Sequence, residues 1–215
     1  TSYAAPQVAG LAALILSVNS ALSNAQVESI IEQTADDKGS PGRDDYYGYG
    51  RISTYKALKY TLERYGGTLT QQLVITAGEA WNFTNVTLKF ASGVGMTVYG
   101  ILNASGTTFT STSSSSTWSG IVINGSGTNG SVLEYCTVEK VQTYGGSAIT
   151  ATGGPPVTVR YCTISNNVNY GTSGLAFYND GSPQVFHNTI TSNGGYGVKF
   201  DTTTGNIWQN TITSN

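Results

Sequence analysis

The chain has 215 residues, of which 10% are charged, and its formal net charge is −2. This length suits one or two domains. The sequence holds no basic patch and no run of lysine and arginine, so it indicates no nucleic-acid partner. It also holds no apolar run long enough for a transmembrane segment. The Gly-, Ser-, Thr- and Asn-rich composition, with recurring Tyr, Val and Ile, predicts a β-rich, extracellular or cell-surface protein.

The first predicted element is an apolar helix near the start of the chain. Residues 8–18 read VAGLAALILSV and are apolar on nearly every face. A helix of this kind is expected to be buried on all sides. Ser2 is expected in its first turn, where backbone amides lack partners and the helix dipole is positive. A serine there is either an N-cap or a nucleophile whose amide faces a developing oxyanion.

Two more helices are predicted downstream. Ser23 and Gln26 have the spacing of a capping box and predict a second helix, which ends before the polar loop 36–45. A third helix is predicted from Ser53 or Thr54 to the glycines at 66 and 67. Its apolar side is expected to carry Tyr55, Leu58 and Leu62.

The polar loop 36–45 is the one acidic segment that suggests a metal. Asp36, Asp37, Asp44 and Asp45 are either calcium ligands in a longer parent protein or part of a solvated loop. The loop assigns no metal ligand to this chain. The two cysteines form no CxxC motif and no cluster with histidine, so zinc is not expected. No cofactor is predicted.

The second part of the chain is an internal repeat. Four segments align, with offsets of 26, 26 and 22 residues: LEYCTV (133–138), VRYCTI (159–164), VFHNTI (185–190) and IWQNTI (207–212). Short strands at this period, separated by Gly, Asn and Ser turns, predict a parallel β-helix. We expect a right-handed helix, with equivalent residues stacked about 4.8 Å apart. The stretch 67–117 is less regular and is expected to form earlier coils.

The aligned segments predict three ladders of equivalent side chains. Two ladders point inward: Leu133, Val159, Val185 and Ile207 form one, and Val138, Ile164, Ile190 and Ile212 form the other. A threonine ladder precedes the second: Thr137, Thr163, Thr189 and Thr211.

The opening residues TSYAAPQVAG resemble the nucleophile segment of the subtilisin-like serine proteases, Gly-Thr-Ser-Met-Ala-x-Pro-His-Val-Ala-Gly. Ser2 falls on the catalytic serine of that pattern, whereas Tyr3 and Gln7 depart from the usual Met and His. The segments QTAD (33–36) and GYGRI (48–52) have counterparts near the end of such a catalytic domain. The resemblance covers the first 66 residues or so.

The two resemblances together imply a mixed fold. Residues 1–66 would be the C-terminal, helical part of an α/β subtilase catalytic domain from a longer polypeptide. Residues 67–215 resemble the right-handed β-helix repeats of bacterial surface and secreted proteins, and the array is expected to continue beyond Asn215.

The resemblance implies a serine endopeptidase that cleaves protein or peptide substrates, with Ser2 as nucleophile. In that family the triad Asp and His, and the oxyanion Asn, precede the serine in the chain. They are therefore expected before Thr1, and the 215 residues alone should be inactive. The β-helix would be a spacer or a surface- or carbohydrate-binding module. The alternatives are a non-enzymatic adhesin or stalk with a degenerate protease part, and a carbohydrate-active β-helix.

Other candidate residues favour structural roles. His187 is the single histidine, and it occupies the column of Tyr135, Tyr161 and Gln209, which is expected to face solvent. Thr1 would be a nucleophile only in an N-terminal threonine hydrolase, which the family resemblance disfavours.

The β-helix offers few residues for sugar chemistry. Glu134 and Glu139 are its only acids close in sequence, and Glu134 is expected to pair with Arg160 at the surface. Carbohydrate platforms, or ordinary stacking within the coils, are the alternatives for four aromatic residues: Tyr135, Tyr161, Phe186 and Trp208.

Cys136 and Cys162 are predicted at equivalent positions of adjacent coils. Their spacing suits a disulfide, but in-register parallel neighbours seldom give the required dihedral angle. A column of free thiols continued by Asn188 and Asn210 is favoured, and the bonded alternative stays open.

Overall fold

The computed structural model describes residues 3–124, 130–154, 156–167, 171–179 and 181–215. The chain divides into two compact units, Thr1–Thr68 and Leu69–Asn215. Within the described residues, no helix is long and apolar enough to cross a membrane.

The first unit contains three helices: α1 (Ala4–Val18), α2 (Asn24–Gln33) and α3 (Thr54–Tyr65). The predicted capping box starts α2, because the amide of Ser23 donates to Gln26 Oε1 (2.8 Å) and the amide of Gln26 donates to Ser23 Oγ (3.3 Å). Gly66 ends α3 at φ 68°, in the left-handed region that glycine enters most easily. The core of this unit consists of Leu11, Ile15, Leu22, Val27, Ile30 and Ala57.

Two expectations about these helices are wrong. Only Leu11 and Ile15 of α1 are buried, while Val8 and Leu14 are 40% and 46% exposed. The other two helices of the unit pack against one side of α1, so an all-round apolar helix keeps an open side here. Tyr55 is also exposed, because α3 buries Ala57, Thr61 and Leu62 instead.

The second unit is a parallel β-solenoid. Its strands, in chain order, are β1 (Gly67–Leu69), β2 (Leu73–Ile75), β3 (Ala80–Thr84), β4 (Thr87–Phe90), β5 (Met96–Val98), β6 (Ile101–Ser105), β7 (Thr108–Ser111), β8 (Ile121–Asn124), β9 (Val132–Glu134), β10 (Thr137–Glu139), β11 (Ser147–Thr152), β12 (Thr158–Arg160), β13 (Thr163–Ser165), β14 (Ser173–Tyr178), β15 (Gln184–Phe186), β16 (Thr189–Thr191), β17 (Val198–Asp201), β18 (Asn206–Trp208) and β19 (Thr211–Thr213).

The strands form three parallel sheets, which the chain visits in turn. The sheet orders are β1-β4-β7-β10-β13-β16-β19, β17-β14-β11-β8-β5-β2 and β18-β15-β12-β9-β6-β3. From β1 onward, every third strand therefore returns to the same sheet, one coil further along. The less regular stretch before residue 117 forms the first coils, as expected.

The three predicted ladders are present in the pairing register. Leu133, Val159, Val185 and Ile207 are successive partners, as are Val138, Ile164, Ile190 and Ile212, and the threonines that precede them. Their inward members are fully buried except in the last described coil, where Ile207 and Ile212 are 43% and 42% exposed. That coil has a described neighbour on one side only. Stacked aromatic rings add to the core at Phe90–Trp118 (4.3 Å between centroids) and Phe177–Phe200 (5.3 Å).

Candidate active site and the polar columns of the solenoid

The predicted nucleophile Ser2, like Thr1, lies outside the described residues. The next residue, Tyr3, is the N-cap of α1, with φ −87° and no side-chain capping bond. The first amides of a helix lack intrahelical partners, and the side chain of Tyr3 provides no cap for those of α1. Pro6 is the third helical residue, where a missing N–H costs nothing. The start of α1 thus follows the predicted nucleophile directly in the chain.

The segments that carry the rest of the subtilase resemblance meet in the structure. The amide of Asp36 donates to Arg51 O (2.7 Å), and the amide of Arg51 donates back to Asp36 O (2.9 Å). Lys56 Nζ and Arg51 Nη2 contact the Asp36 carboxylate at 2.6 and 3.1 Å. These two cations, Lys56 first, hold the pKa of Asp36 below its ordinary value. Gly50 precedes Arg51 in this junction and has φ 110°. A larger residue does not fit there, because its Cβ would lie 2.2 Å from Asp36 O.

Two carboxylates of the polar loop, those of Asp37 and Asp44, accept hydrogen bonds from nearby backbone amides. Asp44 accepts from the amides of Tyr47 (2.7 Å), Tyr46 (2.8 Å) and Ser40 (3.1 Å), and these bonds, Tyr47 first, lower its pKa. Asp37 Oδ2 accepts from the amide of Gly42 (2.7 Å). Among the described residues, no group of three or more His, Cys, Asp or Glu side chains is placed to hold a metal. Carboxylate–amide bonds therefore account for the shape of this loop.

His187 lies in an exposed aromatic column, as its position in the repeat predicted. Its ring stacks on Tyr161 (4.8 Å between centroids, 7° between planes), and Tyr161 stacks on Tyr135 (5.0 Å, 10°). His187, Tyr161 and Tyr135 all have positive φ, at the turn between two sheets. A second stack, Phe186 on Trp208 (4.4 Å, 9°), adjoins the first. The ring faces between successive coils are therefore occupied by other rings.

Glu134 and Glu139 of the solenoid are both engaged in surface contacts. Glu134 Oε2 accepts from Arg160 Nη2 (2.6 Å) and Nε (2.9 Å), which confirms the expected ion pair. Glu139 accepts from Thr110 Oγ1 (2.8 Å) and lies beside Lys140. The two glutamates belong to strands of different sheets, β9 and β10. The structure does not bring them together as a general acid and base.

A buried polar column runs along the turn beside these residues. Each backbone amide donates to the side chain one coil further on: Cys136 to Cys162 Sγ (3.4 Å), Cys162 to Asn188 Oδ1 (2.9 Å) and Asn188 to Asn210 Oδ1 (2.9 Å). Both cysteines are free and buried, as the sequence favoured.

A second asparagine column was missed at the sequence level. Asn167 Nδ2 donates to Asn193 Oδ1 (2.8 Å), and Asn193 Nδ2 donates to Asn215 Oδ1 (2.6 Å). The signal was available, because an asparagine follows each of the last three threonine-ladder strands at the same offset.

Comparison with known proteins decides the family of the solenoid. Residues 72–215 match the sequence model of a family described as the right handed beta helix region. The chain belongs to this family. The match begins just before β2 and extends past the last described strand, β19. The right-handed sense in the family's description is the one that we expected for the β-helix from the rule for parallel crossovers.

The N-terminal unit matches a second family. Residues 1–50 match the model of the subtilase family. A thermophilic serine proteinase from Bacillus sp. (strain AK1) is 47% identical over 60 residues, which are 28% of this chain and 14% of that protein. Calcium-dependent proteases from Trichormus variabilis and Nostoc sp. are each 42% identical over 69 residues, or 29% of this chain and 10% of theirs. No solved structure matches.

The comparisons define the chain as a subtilase-like segment followed by a right-handed β-helix. The chain spans only 14% and 10% of the length of these protease relatives. The similarity lies at the N-terminal end of this chain, where the motif around Ser2 occurs.

Proposed function

We propose that the N-terminal unit is the last part of the catalytic domain of a subtilisin-like serine endopeptidase, with Ser2 as the nucleophile. The match of residues 1–50 to the subtilase family carries this proposal. The junction of Asp36 with Arg51 supports it, because it joins the two later segments whose order resembles the end of such a domain.

In the proposed reaction, Ser2 Oγ attacks the carbonyl carbon of the scissile peptide bond. A histidine takes the hydroxyl proton and passes it to the leaving amine, and an aspartate orients that histidine. Backbone amides at the start of α1 stabilise the oxyanion, and water then hydrolyses the acyl-enzyme. His187 is the single histidine of the chain and is held in the aromatic column. The proposal therefore takes the histidine and aspartate from residues that precede Thr1 in a longer polypeptide.

The open side of α1 fits this proposal. A groove of about 450 Å³ lies between α1 and α2, and its lining includes Val8, Ala12, Leu16, Val27 and Ile31. A helix that is apolar on every side is usually buried on every side, and a contiguous exposed apolar surface usually marks a contact with another part of the protein or a partner. In the proposed parent protein, the preceding part of the catalytic domain covers this surface.

For the β-helix we propose the role of a spacer or surface-binding module of an extracellular or cell-surface protease. The occupied ring faces in the two aromatic stacks favour the spacer, because a sugar can reach only ring edges and the end faces of each stack. The stacks contribute to coil-to-coil contact in either case.

The test compares three proteins: the 215-residue chain, the same chain extended by the residues that precede it in its gene, and the extended chain with Ser2→Ala. We expect only the extended wild-type chain to hydrolyse a fluorescent casein substrate. Hydrolysis by the Ser2→Ala variant at the wild-type rate would refute the role of Ser2.

The gene sequence upstream of Thr1 separates the protease from the adhesin or stalk alternative. The protease requires an Asp-Ser/Thr-Gly motif followed by a His-Gly-Thr-His motif. Loss of either motif would leave the β-helix as the functional part. Release of sugars from acidic polysaccharides, with or without calcium, would instead indicate a carbohydrate-active β-helix; we expect none.

A further inference from the structure

The two cysteines of the chain face each other across adjacent coils. Glu134 pairs with Arg160 and Thr137 pairs with Thr163, so the register places Cys136 directly beside Cys162. Neighbouring strands lie about 4.8 Å apart, which falls within the Cα separation of disulfides, about 4.4–6.8 Å. Both side chains are almost fully buried, at 1% and 2% exposure. The thiols are thus held together and away from other reactive groups.

The contacts of the thiols are individually weak. Cys136 Sγ lies 3.2 Å from Glu134 O, and Cys162 Sγ lies 3.2 Å from Arg160 O. The Cys136 amide donates to Cys162 Sγ at 3.4 Å. Sulfur is a weak donor and a weak acceptor, so these bonds contribute less than the amide bonds of asparagine in the same column. Few strong hydrogen bonds therefore hold the two sulfur atoms in their present positions.

We propose that Cys136 and Cys162 form a redox site that closes to a disulfide between coils when it meets a small-molecule disulfide. The thiolate of one cysteine attacks one sulfur of the reagent, and one reagent thiolate leaves. The thiolate of the other cysteine then attacks the protein sulfur of the mixed disulfide, and the second reagent thiolate leaves. Two S–H bonds of the protein are broken and one S–S bond is formed. The reagent is reduced to two thiols, which take up the two protons.

The two thiols influence each other in the closed coil. Their contact lowers the pKa of Cys136 and, together with burial, raises the pKa of Cys162. Burial of both sulfurs means that the reagent enters only when the coil opens locally, so closure is slow in the native protein.

In the test, the whole chain is incubated with oxidised glutathione in urea just below the unfolding transition, where local opening of the coil is more frequent. We expect the intact mass to fall by two hydrogen atoms and both thiols to resist maleimide under denaturing conditions. Peptide mapping should show one peptide pair, linked from Cys136 to Cys162. A phosphine reductant should restore both thiols, and the oxidised chain should melt at a higher temperature than the reduced chain.

A Cys162→Ser variant is the matched control. It should keep a reagent adduct on Cys136 or remain a thiol, and it should never lose two hydrogens. The proposal is overturned if the wild-type chain keeps both thiols, retains a stable glutathione adduct or links to a second chain. If the variant does not fold, the peptide map of the wild-type chain decides alone. None of these outcomes depends on protease activity.

Discussion

The buried polar column of Cys136, Cys162, Asn188 and Asn210 makes the stability of the solenoid sensitive to one side chain, Asn188. Its Oδ1 accepts from the amide of Cys162 (2.9 Å), and its Nδ2 donates to Val159 O and Asn210 Oδ1 (2.9 Å each). The residue is 2% exposed, so water does not replace these partners. Asn188→Ala removes all three bonds and leaves the Cys162 amide without its side-chain acceptor.

The expected loss comes from the three bonds. An unsatisfied buried amide costs about 1–3 kcal/mol, and each of the other two bonds contributes about 0.5–1.5 kcal/mol. Asn188→Ala should therefore lower the free energy of unfolding by about 2–6 kcal/mol. Asn188→Cys should cost less, because Cys136 and Cys162 already fill this column with sulfur as acceptor.

The assay is urea unfolding followed by tryptophan fluorescence, together with hydrogen exchange of the peptide that contains the Cys162 amide. Thr189→Ala is the surface control, because Thr189 is exposed and adjacent; it should change stability by about 0.5 kcal/mol or less. Equal stability of Asn188→Ala and Thr189→Ala would contradict this role of Asn188. So would unchanged protection of the Cys162 amide in the Asn188→Ala variant.

Three further changes test other parts of the structure. Asp36→Asn should lower the melting temperature at pH 6–8. Because the pKa of Asp36 is lowered in the folded state, mainly by Lys56, the difference should begin to shrink near the ordinary aspartate pKa of about 4 and should vanish only as the pH falls through the lowered pKa. Gly50→Ala should destabilise the N-terminal unit more than Gly42→Ala, since both positions have positive φ but only the first meets the backbone; equal melting temperatures would refute this clash. Phe109→Ala should cost about 3–5 kcal/mol in chemical denaturation, because the ring is fully buried against Phe83; a loss below about 1 kcal/mol would contradict that packing.

The solenoid was predictable because each coil repeats the same local pattern. The alignment of Val138 with Ile164 and Ile190 fixed both the register and the inward face, since a one-residue slip would expose every apolar side chain of the strand. The exposed column of His187 came from the same alignment, and so did the pairing of Glu134 with Arg160.

The N-terminal unit was harder to predict, because burial depends on what surrounds a helix. The pattern of α1 gives its apolar character but not the number of sides that neighbours cover, and so Leu14 was expected to be buried and is exposed. Tyr55 was misplaced for a related reason: its apolar ring suggested burial, whereas the smaller Ala57 and Thr61 fit closer to the neighbouring helices. The asparagine column at Asn167 and Asn193 was missed because buried amides do not look like core residues in a sequence.

The central claim is that Ser2 is the nucleophile of a protease joined to this β-helix. A fluorophosphonate probe applied to the chain extended by its upstream residues tests it most directly, with mass spectrometry to locate the modified residue. We expect one label on the peptide that contains Ser2, and no label on the Ser2→Ala variant or on the 215-residue chain alone. A label on another residue, or undiminished labelling of the Ser2→Ala variant, would contradict it.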